Sequence, residues 1–189
     1  MKQLFKPNLS LALVHYPVTN KNGKEICSAV TNLDLHDIAR AGRTYGVKAY
    51  YVVTPLPDQK VLVERISSHW TEGHGGQVNP ARREALGLIH VASSLEEAIR
   101  AIEKKGEGRP KVAVTTARNA VDVVSHEAFR ETIKDGRPYL LVFGTAWGLS
   151  PSIIETADYV LEPVLGVADY NHLSVRSAVS IILDRLLSR

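Results

Sequence analysis

Short apolar runs rich in β-branched and aromatic residues alternate along the chain with stretches whose apolar side chains recur every three or four positions. Leu9 to Tyr16, Val47 to Thr54, Leu88 to Ala92, Lys111 to Thr115, Tyr139 to Phe143 and Tyr159 to Leu161 read as strands, with Pro55 and Pro57 closing the second. Leu35, Ile38, Ala39 and Gly42 stand at helical spacing within Leu33 to Tyr45, with Asn32 or Asp34 as the N-cap. Lys60 to Trp70, Ala81 to Leu86, Ser125 to Lys134 and Pro151 to Thr156 also read as helices. So does Ser94 to Lys105, where a Ser N-cap precedes acidic residues in the first turn. Leu173 to Leu187 is a strongly amphipathic C-terminal helix. The glycine-rich stretch HWTEGHGGQVNP, residues 69 to 80, reads as an irregular, flexible insertion. Strands separated by helices predict an α/β fold, a mostly parallel sheet with helices on both faces. Ligands of such sheets sit beyond the carboxyl ends of the strands.

Composition narrows the class. The 189 residues fit one domain, 1–189, and 44% apolar with 23% charged residues is ordinary for a globular protein. No run approaches the ~18 to 20 uncharged apolar residues of a membrane helix, and the N-terminus lacks a signal-peptide pattern. The single cysteine, Cys27, excludes an internal disulfide and a thiolate-rich metal site, and fits a cytoplasmic protein. A net charge of +3 is compatible with a polyanionic partner without arguing for one.

Three loops that follow strands carry unusual residues. The first holds Thr115, Thr116, Ala117, Arg118 and Asn119; the second runs from Gly144 through Trp147 and Gly148 to Leu149. The third runs from Glu162 through Pro163, Leu165, Gly166, Asp169, Tyr170, Asn171 and His172 into the last helix. In the second, glycine either turns a corner or lets a ligand lie against the backbone. It is neither a phosphate loop nor a dinucleotide fingerprint. In the third, Asp, Tyr, Asn and His gather near a helix N-terminus, where free N–H groups favour anionic or polar ligands. The alternative is that Asn171 or Ser174 simply caps the helix. The histidine spacing does not fit a zinc site, and no G-x-S-x-G elbow marks a hydrolase.

In order, these features resemble the SPOUT superfamily of S-adenosylmethionine-dependent RNA methyltransferases, closest to its small single-domain members. Asp37 to Gly46, with Arg40 before a Tyr-Gly pair, resembles the first motif; Leu140 to Leu149 resembles the glycine-loop motif; Asn171-His172-Leu173-Ser174 and onward resembles the last. The resemblance covers nearly the whole chain and implies a deep trefoil knot at the C-terminus. It implies S-adenosylmethionine held by backbone groups of the three loops, around Thr115, Thr116, Gly144, Gly148, Leu149, Leu161, Pro163, Leu165 and Leu173. It implies Arg40 on the substrate side of the methyl group, with Asn171 and Ser174 orienting the acceptor or the cofactor's methionine end. His172 is either a proton acceptor or a structural residue. It further implies an RNA partner (tRNA or rRNA) and a homodimer, with the early Arg helix and the C-terminal helix as interface elements. Ribose-methylating members place a glutamate in the glycine loop; Thr145-Ala146-Trp147 has none, which favours base over ribose methylation. Trp147 either stacks a base or plugs the loop from beneath. His69, Trp70, His74, Arg82 and Arg83 make a basic-aromatic stretch suited to RNA contact, or a solvated helix face.

Two rivals remain at this level: a flavodoxin-like or Rossmann-like binder of a flavin or dinucleotide, and a knotted RNA-binding protein without catalytic activity.

Overall fold

Helices cover both faces of the sheet, which is why its central strands are apolar throughout rather than alternating. The computed structural model describes residues 7–118, 122–168 and 170–188. Strand β1 (Leu9–Val14) leads into two very short strands, β2 (Val18–Thr19) and β3 (Glu25–Ile26), which pair antiparallel. Then follow α1 (Asn32–Tyr45), β4 (Tyr50–Val53), α2 (Pro57–Thr71), α3 (His74–Val78), α4 (Pro80–Leu86), β5 (Ile89–Ala92) and α5 (Leu95–Ile102). The second half comprises β6 (Lys111–Thr115), α6 (His126–Thr132), β7 (Tyr139–Gly144), α7 (Pro151–Glu155), β8 (Tyr159–Leu161) and α8 (Val175–Leu187). The main sheet has the order β5-β4-β1-β7-β6-β8, and every pairing is parallel.

Alternate residues of β1 feed two cores. Leu9, Leu11 and Leu13 pack with Leu35 and Ile38 of α1, Val63 of α2, Leu86 of α4, Phe129 of α6 and Val179 of α8. Ala12 and Val14 pack on the opposite face with Ala98 and Ile99 of α5 and Ile153 of α7. The α/β architecture with a parallel sheet between helical layers is thus as the sequence predicts.

Three local expectations differ. Residues 69–80 are not irregular: α2 runs through His69 and Trp70, and α3 and α4 follow at once. The glycines serve close packing, not looseness. A Cβ on Gly76 would stand 2.2 Å from the Trp70 carbonyl oxygen, and one on Gly75 would stand 2.8 Å from His69 Nε2. The cap of α1 is Thr31, whose hydroxyl accepts from the Asp34 N–H, not Asn32 or Asp34. The β2–β3 hairpin escapes the sequence pattern because strands of two residues have no period to detect.

The edge strand β8 has an unusual neighbour. Leu161 pairs with Thr115 of β6 on one side and bridges to Val124 on the other. Val124 donates to the Val160 carbonyl at 2.8 Å and accepts from Glu162 at 3.0 Å. Thr115 at the end of β6 and Val124 further along the chain thus lie on opposite edges of β8, at the end from which residue 162 departs. Asn119 of the first loop and Asp169 of the third lie outside the described residues.

Candidate active site

Strands β6, β7 and β8 are neighbours, or one strand apart, so their carboxyl ends bring the three loops to one rim of the sheet. Side chains then tie the loops together. Arg118 donates to the Trp147 carbonyl at 3.0 Å, joining the first loop to the second. Asn171 donates its side-chain amide to the Ala117 carbonyl at 2.8 Å, joining the third to the first.

The second loop is shaped by its own backbone. Gly148 donates to the Thr145 carbonyl at 2.9 Å, closing a tight turn in which Ala146 has φ +52° and Gly148 φ +104°. Gly144 is required for space: a Cβ there would meet the Leu149 nitrogen at 2.6 Å and the Gly148 carbonyl carbon at 2.9 Å. The outer side of the turn pairs with β2, through Thr19 N–H to Gly148 O at 2.9 Å, Trp147 N–H to Thr19 O at 3.0 Å and Ser150 N–H to Pro17 O at 3.3 Å. Leu149 stands opposite Val18 as the antiparallel pair between those bonds. In that register its own N–H and C=O point away from β2. They are the groups of this loop left to meet a ligand on the inner side. Trp147 is 58% exposed, so the reading of a plug beneath the loop is corrected; its ring faces solvent.

The other predicted cofactor residues divide by what they touch. Thr115 donates its hydroxyl to the Val142 carbonyl at 3.1 Å, and the Thr116 hydroxyl accepts from the Arg118 N–H at 3.0 Å, so both shape the first loop. Leu161 is fully buried in the core, and its contribution at the rim is backbone. Pro163 is half-buried, whereas Leu165 and Leu173 are exposed at 60% and 46%, an apolar lining without cover. Exposed apolar side chains of this kind suit contact with a flat apolar group such as a purine.

Of the predicted catalytic residues, Asn171 holds the loops together as described. Ser174 caps α8: its hydroxyl accepts from the Ser177 N–H at 3.3 Å and lies 2.8 Å from the Ser177 hydroxyl. Arg40 stands apart from the loops, exposed on α1. It borders a groove between α1 and α8, with Arg176 and Ser177 beside it, close to the cap at Ser174. Arg176 itself is held by Asp34 at 3.3 Å and Asp37 at 3.5 Å. His172 is exposed and stacks edge-on against Tyr170 at 5.2 Å between ring centres.

Two polar clusters support the rim that sequence reasoning missed. Under the second loop, His15 Nδ1 lies 3.0 Å from the Ser28 hydroxyl, which contacts Thr145, and Thr145 donates to the Val14 carbonyl at 3.1 Å. His15 is fully buried and its Nε2 has no partner. Burial pushes its pKa down to about 4, against a weaker opposing pull from Asp34, so the ring is neutral at pH 7. Under the third loop, Glu162 accepts from the His126 backbone N–H at 2.8 Å and lies 2.9 Å from Nδ1 of the same residue. His126 opens α6, so the carboxylate also meets a helix N-terminus. The His126 N–H is the main reason the Glu162 carboxyl is held below the usual range, while burial and Arg185 push the His126 imidazole down. Nδ1 also lies 3.2 Å from Arg185 Nη1, so the ring tautomer sets whether it donates to Glu162 or accepts from Arg185. A histidine ending an apolar strand and a glutamate following one are visible in the sequence; their partners, remote along the chain, are not. Glu162→Ala is expected to lower unfolding free energy by about 1 kcal/mol in denaturant titrations, a value reduced for the partial exposure of Glu162.

Among the described residues no group of three or more His, Cys, Asp or Glu is placed to hold a metal, and no helix is long and apolar enough to cross a membrane.

Comparison with known proteins adds a family. The model of a family of SAM-dependent RNA methyltransferases matches residues 8–188. A tRNA (guanine-N(1)-)-methyltransferase from Oleidesulfovibrio alaskensis is 47% identical over 180 residues, covering 95% of this chain and 42% of its own. The chain thus spans less than half the length of that relative. An uncharacterized protein from Aquifex aeolicus is 43% identical over 187 residues, covering 98% of this chain and 91% of its own. Among solved structures, the A. aeolicus TrmH/SpoU tRNA modifying enzyme superposes with a TM-score of 0.56 at 20% identity, covering 97% of this chain and 75% of that one. At that identity the likeness speaks to the fold.

Proposed function

Since the chain belongs to the family of SAM-dependent RNA methyltransferases, we propose that it transfers the methyl group of S-adenosylmethionine to a base of tRNA or rRNA, at the rim where its three loops meet. Family membership sets aside the flavodoxin-like and dinucleotide-binding rivals. The observation that carries the placement is the pair of ties, Arg118 to Trp147 and Asn171 to Ala117, which hold the three loops together. The guanine-N1 specificity named for the Oleidesulfovibrio relative belongs to a chain more than twice as long.

The residues present fit the cofactor. The Leu149 N–H and C=O, turned away from β2, would hold the cofactor's polar edge, and Leu165 and Leu173 would cover its apolar part. When bound, the cofactor supplies a methyl group already activated on a sulfonium. The chain's part is then placement and handling of the acceptor. Arg40, a cation without an ion pair among the described residues, would bind acceptor phosphate or lower the acceptor's pKa. Asn171 acts through the loops it joins, and Ser174 through the helix it starts. Arg40→Ala is expected to lower kcat about tenfold, with SAM affinity and Tm unchanged, because its side chain is exposed on α1 and makes no ion pair among the described residues.

The trefoil knot is part of this reading. Its support is Leu161, bracketed by Thr115 and Val124, since the chain after β8 leaves from within that bracket to reach α8. A homodimer over α1 and α8 is supported by the open groove between them, where Arg40, Arg176 and Ile181 meet. The absence of an acid at Thr145 to Trp147 favours a base acceptor, and a cytoplasmic setting is part of the same reading. The test is incorporation of labelled methyl from S-adenosylmethionine into unmodified tRNA and rRNA, followed by nucleoside analysis. A methylated base supports the reading; a 2′-O-methylated nucleoside corrects its acceptor; no incorporation into either RNA by a chain that binds SAM refutes it.

A further inference from the structure

A second cleft, of about 480 Å³, opens between α1, α2 and α4, and no residue of the three loops lines it. Its walls carry Arg40, Arg65 and Arg82, with His36, His69 and Trp70 between them. No ion pair neutralises any of the three arginines among the described residues, whereas nearby Arg43 is held by Glu84 at 2.8 Å. The one carboxylate in the wall, Asp37, already faces Arg176 at 3.5 Å.

Arg82 lies against an aromatic face. Its guanidinium carbon lies 4.7 Å from the centre of the Trp70 ring, a cation–π contact, and the Trp70 ring is held edge-on by His36 at 5.5 Å and His69 at 5.1 Å. Gly75 and Gly76 admit this packing, since any side chain there would strike His69 or Trp70. Yet Arg82 Nε is buried without a hydrogen-bond partner. A buried N–H on a pre-oriented cation is costly unless something outside the chain accepts from it. The positive field is also felt by His36, whose pKa is pushed down by burial and then by Arg82 and Arg40. Arginine forks match phosphate oxygens, and exposed Leu33 supplies an apolar wall on which a sugar or base edge can rest.

We propose that this cleft is a nucleotide subsite that grips the phosphodiester backbone of the RNA substrate through Arg65 and Arg82, remote from the reacting base. It rests on the RNA methyltransferase reading and adds where the strand is held. Arg40 borders both this cleft and the α1–α8 groove, so a strand seated here runs toward the helix that Ser174 starts. Phosphate contacts of this kind position the nucleic acid without reading its sequence.

The experiment compares the full chain with Arg65→Glu and with Arg82→Gln, using a fluorescein-labelled RNA hairpin, adenosine monophosphate and S-adenosylmethionine as separate probes. Each variant is expected to weaken hairpin binding about tenfold, and to reduce the slope of log K against log salt by ~1. SAM affinity, Tm and sedimentation are expected to be unchanged. Arg65 is exposed on α2, so its reversal tests the cleft even if Arg82→Gln disturbs the packing on Trp70. Unaltered hairpin affinity and slope in Arg65→Glu would overturn the proposal. So would a change in oligomeric state, which would assign the cleft to a second copy of the chain, or tight adenosine monophosphate binding with unaltered hairpin binding, which would assign it to a free nucleotide. Normal SAM binding with arginine-independent RNA binding removes the subsite alone. Arginine-dependent RNA binding without SAM binding supports the subsite and removes the methyltransferase reading alone.

Discussion

Gly144→Ala is expected to abolish cofactor binding, lowering SAM affinity by about a hundredfold or more, and to destabilise the chain by about 1 to 3 kcal/mol. The added Cβ would stand 2.6 Å from the Leu149 nitrogen and 2.9 Å from the Gly148 carbonyl carbon, both backbone atoms. Gly144 cannot retreat, because it ends β7 in register with Val14 of β1. The turn must therefore open, and Leu149 leaves the position from which its N–H and C=O face the inner side. Gly166→Ala in the third loop is the control: a Cβ there meets nothing within 4 Å, so little change is expected. Calorimetric titration with SAM and denaturant unfolding of both variants provide the check. Cofactor binding by Gly144→Ala at the parent affinity would remove the second loop from the site.

The second large effect is on stability against pH. His15 is buried and neutral, with its pKa pushed down to about 4 from the usual 6.5. The unfolded chain therefore takes up a proton between pH 6.5 and 4 that the folded chain refuses. The sign is that of a depressed base: His15's contribution is fully present above pH 6.5 and is lost as pH falls toward 4. The loss is expected to reach about 2 to 3 kcal/mol at pH 4.5. His15→Gln cannot titrate, so its unfolding free energy should fall less between pH 7 and 4.5 than that of the parent. His36, His90 and His126 are depressed as well, so slope remains in the variant, and the difference between the two slopes is the measure. Because His15 touches Ser28, and Ser28 touches Thr145 of the second loop, SAM affinity of the folded chain should hold through that range and decline only as pH approaches 4, where the buried ring itself takes up a proton. Parallel profiles for the two proteins would contradict the assignment.

Much of the fold was legible because β-branched runs such as Lys111 to Thr115 and Tyr159 to Leu161 match their strands end to end. Ser94 caps its helix as predicted, since a short-range Ser-x-x-Glu pattern carries its own partner. Where the partner is distant, the pattern is silent. The glycines of residues 73–76 read as looseness, yet they let α3 fold back against Trp70, a contact between residues of different helices. Strand ends and glycines mark the three loops locally, and the ties from Arg118 to Trp147 and from Asn171 to Ala117 join them. That Gly144 answers to Leu149, that Asn171 answers to Ala117, and that His15 hangs beneath Thr145 are facts of tertiary contact. Arg40 was visible as a cation at a recognisable spacing, but its seat between two grooves depends on how α1 packs against α8 and α4, which no local signal encodes.

The most direct test of the central claim is a crystal structure of the chain with S-adenosylhomocysteine. The account predicts the ligand between residues 115–118, 144–149 and 161–174, with Leu149 N–H or C=O bonded to its adenine, and α8 reached by a chain that passes inside the crossing from Thr115 to Val124. A ligand seated elsewhere, or an α8 reached without passing that crossing, would contradict it.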